Sequence, residues 1–105
     1  MTNATVLLEA IGEPTRRAIF ERLAVHPGAV GELADELPVT RSAVSQHLKI
    51  LKSAGLLTDR AIGTRRIYSV DPAALAVIRE YFDSFWTASL AAFRATAEQP
   101  APEKS

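Results

Sequence analysis

Arg41, Ser42, Ser45, Gln46 and Lys49 fall on one side of a helical repeat whose other side is Val44, Leu48 and Leu51, flanked by Ala43 and Ile50. Two short hydroxyls let a helix backbone come close to a partner, and an amide, a guanidinium and an ammonium beside them can reach base edges and phosphates. That combination suits the major groove of duplex DNA. An ordinary solvated helix face has the same composition, so the flanking sequence has to decide between the two.

The helix carrying these residues is signed at both ends. Pro38 biases Leu37 away from helical backbone angles, which ends a preceding helix over Val30 to Leu37 with Leu33, Ala34 and Leu37 inward. Thr40 then serves as N-cap for a helix over 41–54. Gly55 can take the left-handed conformation just past its end, and Leu56 can turn back onto Leu51 in a Schellman cap. The stretch from Gly31 to Leu56 therefore predicts helix, short turn, helix.

Beyond it, Leu57 to Ile62 and Arg65 to Val70 are β-rich runs around Gly63-Thr64, which predicts a hairpin over 57–70 with a type II′ turn. Arg65 and Arg66 leave that turn together. A hairpin beside a helix-turn-helix is a wing, and basic residues at its tip can lie along a phosphate backbone or reach a minor groove. A charged, solvated tip is the plain alternative.

Net charge is zero, with 12 basic and 12 acidic residues, but the charges are segregated. From Pro38 to Arg66 there are Arg41, Lys49, Lys52, Arg60, Arg65 and Arg66 against Asp59 alone. A basic surface on a neutral chain binds phosphate locally and limits indiscriminate association.

Ahead of the motif, Ala4 to Ile11 is a short helix candidate with Leu7, Leu8 and Ile11 apolar, too short to stand alone. Pro14 fits the first position of a second helix running to about Val25, stopped by His26-Pro27-Gly28. His26 near that C-terminus suits a capping role better than a metal role, because the only other histidine is His47. After the wing, Asp71-Pro72 opens a last helix of about 25 residues, roughly 38 Å long.

Five of the seven aromatics lie on this last helix, and Ile78, Tyr81, Phe82, Phe85, Trp86 and Phe93 follow helical spacing. A core built from 105 residues, 48% of them hydrophobic, cannot cover so long a stripe. Part of it is expected to meet the same stripe of a second copy, joined by Leu7, Leu8 and Ile11 from the first helix. A ligand pocket lined by the same rings is the weaker alternative. Residues 1–98 read as one domain for DNA binding and dimerisation, and 99–105, with two prolines, as a disordered tail.

Several classes fall away. The chain has no cysteine, which removes disulfides, thiolate metal sites and a cysteine nucleophile. No stretch of about 18 apolar residues and no export signal is present, so a cytoplasmic setting without membrane contact is expected. Ser45 and His47 stand two apart on a helix and point in different directions, and no phosphate-binding glycine loop occurs, so no enzyme is expected.

Taken together, GEPTRRAIFERL, SAVSQHLKILKSAGLL, GTRRIYSV and DPAAL resemble the ArsR/SmtB-type winged helix-turn-helix regulators over roughly Ala10 to Trp86. The resemblance implies a mainly α fold with a β-hairpin wing, in the order α-α-α-α-β-β-α. It implies a homodimeric repressor of an inverted-repeat operator, with first and last helices forming the dimer. It also places Ser42, Ser45, Gln46, His47 and Lys49 on or beside the DNA-reading helix; Thr40, Arg41, Lys52, Arg65 and Arg66 are expected from their own chemistry and position to add DNA contacts. His47 falls beside the apolar face, where bracing the helix is its expected job. The sequence departs from the family at the metal sites: the thiolate positions fall on Ala29, Gly31 and Ala34, and the last helix has no histidine. No cofactor is expected, and an effector, if there is one, is not a soft metal. A winged-helix protein-interaction module working through the aromatic helix is the alternative from another class.

Overall fold

The computed structural model describes residues 3–99 and contains seven elements. They are α1 (Ala4–Ala10), α2 (Pro14–Val25), α3 (Val30–Glu36), α4 (Arg41–Ser53), β1 (Leu57–Ile62), β2 (Arg65–Val70) and α5 (Pro72–Glu98). The expected order is present element for element, and the ends lie where the punctuation residues put them. The expected tail from 100 to 105 lies outside the described residues.

Each helix start has a local cause. The Asn3 carboxamide accepts from the Thr5 N–H at 2.8 Å, and the Glu13 carboxylate accepts from the Arg16 N–H at 2.8 Å with Pro14 at the first turn of α2. Asp71 does the same for α5, accepting from the Ala73 N–H at 2.9 Å. Arg16 also donates from Nε to the Ala10 carbonyl at 2.7 Å, which closes the end of α1 onto α2. His26 is the C-cap residue of α2, but its imidazole is not the capping group. The Arg22 guanidinium donates to the His26 carbonyl and pairs with Glu36 of α3.

The core is mainly aliphatic, with Phe20 its one buried aromatic among the described residues. Leu7, Ile19, Leu33, Val44, Leu48, Leu51 and Leu56 have no exposed surface, and they come from α1 through the turn after α4. Burying each such side chain is worth about 1.5–3 kcal/mol. α4 is the hub, packing against α1, α2, α3 and β1. Its end is a Schellman cap: the Leu56 N–H donates to the Leu51 carbonyl and the Gly55 N–H to the Lys52 carbonyl, both at 3.0 Å, with Gly55 at φ 93°.

β1 and β2 pair antiparallel from Leu57↔Val70 to Ile62↔Arg65, so Gly63 and Thr64 are the two turn residues. Gly63 has φ +62°, and among the described residues only Gly55 shares a positive φ, so Thr64 does not, which matches a type II′ turn. A third backbone segment joins this sheet. Gly28 and Tyr68 exchange both backbone hydrogen bonds, at 3.1 and 2.8 Å, which ties the α2–α3 connection to β2.

α5 roots in the core through Ala74, its one buried residue among those described, with Val77 and Ile78 half-buried. From Arg79 to Gln99 every residue is exposed. None of the described helices is long and apolar enough to cross a membrane.

Candidate nucleic-acid interface

The polar face of α4 stands outward as its period requires. Arg41, Ser42, Ser45, Gln46 and Lys49 are exposed, whereas Val44, Leu48 and Leu51 are fully buried. Thr40 caps the helix, its hydroxyl oxygen accepting from the Ala43 N–H at 3.1 Å, which leaves the hydroxyl proton free to donate outward. The N-terminal turn of α4, the end that enters a groove in helix-turn-helix docking, therefore carries only small or long flexible side chains.

His47 does not belong to that outward set. It is half-buried, and its Nδ1 has no hydrogen-bond partner and lies 3.8 Å from Oε2 of Glu13. The ring therefore faces the start of α2. Glu13 is held ionised below the usual carboxylate range by the N–H groups of Arg16 and Thr15, with a smaller contribution from His47. The side chain thus lies between α4 and the start of α2.

The wing stands beside α4 and is fastened to it by one carboxylate. Asp59 on β1 accepts from Lys52 Nζ of α4 at 2.7 Å through Oδ1 and from Arg66 Nη1 of β2 at 2.8 Å through Oδ2. The Asp59 side chain is only 8% exposed. Hydrogen bonds from Lys52, then Arg66, push its carboxyl below the ordinary value. Arg65 is also engaged, donating from Nη2 to Oε1 of Glu32 on α3. Of the six cations between Pro38 and Arg66, only Arg41, Lys49 and Arg60 make no ion pair among the described residues.

Asp59 and Glu32 were not anticipated as parts of this surface. The two-residue turn carried a signal for the first: pairing Ile62 with Arg65 puts Asp59 and Arg66 on one face of the hairpin as diagonal neighbours. No local pattern links Glu32 to a residue 33 positions later.

The second expected surface is on α5 and α1. Tyr81, Phe82, Phe85, Trp86 and Phe93 are all exposed, with Trp86 at 65% and Phe93 at 71%. Ile78, Leu8 and Ile11 are half-buried. Leu7 corrects the expectation: it is entirely buried in its own chain's core, because with Ala10 three residues on it forms the inward face of α1, leaving Leu8 and Ile11 toward the outside. Leu7 has no surface to offer a partner. Among the described residues no group of three or more His, Asp or Glu side chains is placed to hold a metal ion.

Comparison with known proteins agrees with this architecture. Residues 11–60 match the family described as a helix-turn-helix domain. The chain is 58% identical to the HTH-type transcriptional regulator Rv2034 of Mycobacterium tuberculosis over 85 residues, covering 81% of this chain and 79% of that protein. It is 43% identical over 72 residues to the HTH-type transcriptional repressor SmtB of the same species, covering 69% of this chain and 53%, about half, of that protein. The solved ArsR-like transcriptional regulator from Rhodococcus sp. RHA1 superposes with a TM-score of 0.73 at 28% identity, over 92% of this chain and 94% of that one. Winged-helix architecture, an outward polar α4 and a relative this similar over most of both sequences converge: the chain belongs to the ArsR/SmtB-type family of winged helix-turn-helix transcriptional regulators.

Proposed function

We propose that this regulator is a homodimeric repressor that binds an inverted-repeat operator in double-stranded DNA. Arg41, Ser42, Ser45, Gln46 and Lys49 of α4 read the major groove, Thr40 contacts phosphate at the helix start, and the wing over 57–70 tracks the backbone. His47 contributes indirectly, by holding α4 on α2. The observation that carries the reading is the exposed polar face of α4 with a basic hairpin fastened beside it. Two copies joined through α5 and the outer residues of α1, Leu8 and Ile11, would present two such faces to one side of a duplex. The setting this implies is cytoplasmic, no catalytic role is assigned, and any effector is one that does not need thiolate ligands.

Gel shift across a salt series tests the reading. Binding to random duplex should fall steeply as salt rises, because each phosphate neutralised releases about 0.9 counterion. Footprinting on selected fragments should show two half-sites about 10 bp apart, centre to centre. Gln46→Ala should weaken the selected operator about 10- to 100-fold and leave random duplex nearly unchanged, since one good base contact discriminates by about 1–3 kcal/mol. Protection of a single asymmetric half-site would refute the dimer on DNA. An absence of binding at low salt would favour an interaction module working through α5.

A further inference from the structure

Three of the six cations on the reading side are already held by carboxylates, and the two arrangements differ in kind. Asp59 is nearly covered and satisfied by two donors, Lys52 and Arg66, so it stays as a strut between α4 and β2. Glu32 and Arg65 are both open to solvent, with side chains 39% and 56% exposed. An exposed pair of this kind contributes little to stability and exchanges readily with other ions. Its position matters more than its strength. Arg65 is the first residue after the hairpin turn, and Glu32 sits in the first turn of α3, so the pair spans from the wing tip back to the helix-turn-helix.

We propose that Glu32 stands in for DNA phosphate in the free protein: it holds Arg65 until a duplex arrives, then gives it up, and so trims the sequence-independent part of the affinity. The inference rests on the DNA-binding reading above. When Arg65 moves from Glu32 to a phosphate, one cation leaves the DNA while the stranded carboxylate attracts another. Arg65 then adds little to the salt dependence and little to net affinity. Phosphate carries no sequence information, so the effect is the same for operator and random duplex. Glu32 also reaches the Ala29 N–H at 3.4 Å, which keeps its carboxylate anchored at the helix start whether or not Arg65 is present.

Glu32→Gln keeps that acceptor and removes the charge. It should tighten binding to operator and random duplex alike, by about two- to fivefold at low salt, as expected for release of an exposed pair. The slope of log affinity against log salt should steepen by up to about 0.9. In an Arg65→Gln background the same change should have no further effect, which a double-mutant cycle reads directly. Asp35→Asn, an exposed carboxylate on the same helix, is the control. Glu32→Ala, at a position where alanine suits a helix, repeats the measurement independently of the glutamine variant. A gain that survives removal of Arg65, or that Asp35→Asn matches, would mean that charge loss in general is responsible and would overturn the proposal. Wild-type binding with no response to either Glu32 variant would overturn it alone; a wild-type chain that ignores every duplex would remove the DNA-binding reading beneath it.

Discussion

The carboxylate of Asp59 decides how the wing meets the reading helix, because its two oxygens bind one residue from each. Hydrogen bonds from Lys52 and then Arg66 favour the charged form, so its folded-state pKa lies below the unfolded one. A group lowered in this way stabilises the fold above the ordinary carboxylate pKa and loses that contribution as pH falls through the folded value. Thermal melts of the wild type should therefore decline from about pH 5 downward. Asp59→Asn should be less stable at neutral pH and decline less steeply in acid. Some decline will remain, since Glu13 and Glu36 are lowered too, by the Arg16 backbone N–H and the Arg22 guanidinium respectively. Parallel melting curves for the two proteins across the acid range would rule out the strut. At this scale, helical period alone identifies which α4 side chains face outward. It does not tell which cations are free, because ion pairs form between elements. Counting six basic residues against one acid thus overstates the open charge on this surface.

α4 is defined by its ends as much as by its faces. Thr40 opens it, and Gly55 closes it in a backbone conformation that an L side chain resists. Gly55→Ala should cost about 1–2 kcal/mol, the penalty for a Cβ in the left-handed region. The cap also delivers Leu56 into the core beside Leu51 and sets the start of β1, so the loss should reach the wing as well as the helix. Urea unfolding reads the change as a lower midpoint at constant slope; an unchanged midpoint would show that the turn tolerates a side chain. These ends were legible because proline, threonine and glycine act on their immediate neighbours. The bridge between Gly28 and Tyr68 was not: a single residue after His26-Pro27 has no alternation to mark it as strand, and its partner lies 40 positions away. The start of α3 at Val30 was placed correctly, but no capping side chain signs it: Ala29 has no side-chain acceptor, and the Glu32 carboxylate that takes the Ala29 N–H instead was not anticipated.

Seen whole, the chain is far from spherical. Its radius of gyration is 19.4 Å, against about 13 Å for a compact chain of this length, and its longest dimension is 72 Å. The excess comes from α5, about 40 Å of helix that touches its own core only near its root. A helix with Phe85, Trp86 and Phe93 in water is poorly served by a monomer, and a second copy is the partner that the homodimeric reading supplies. The aromatic spacing made the stripe legible; the burial of Leu7 was not, because α1 is too short for sequence to separate core from outer face. Trp86→Asp, or Phe85→Asp, should leave Ala74, α4 and the wing in place and give monomers by light scattering. Those monomers should retain random-duplex binding per chain, since no groove or phosphate residue has changed. Their operator affinity should fall by at least about 100-fold, the lower end of what linking two weak sites contributes. An intact dimer after either change would move the interface off this stripe. Monomers with undiminished operator affinity would mean that each copy reads its site alone, and the inverted repeat would have no role.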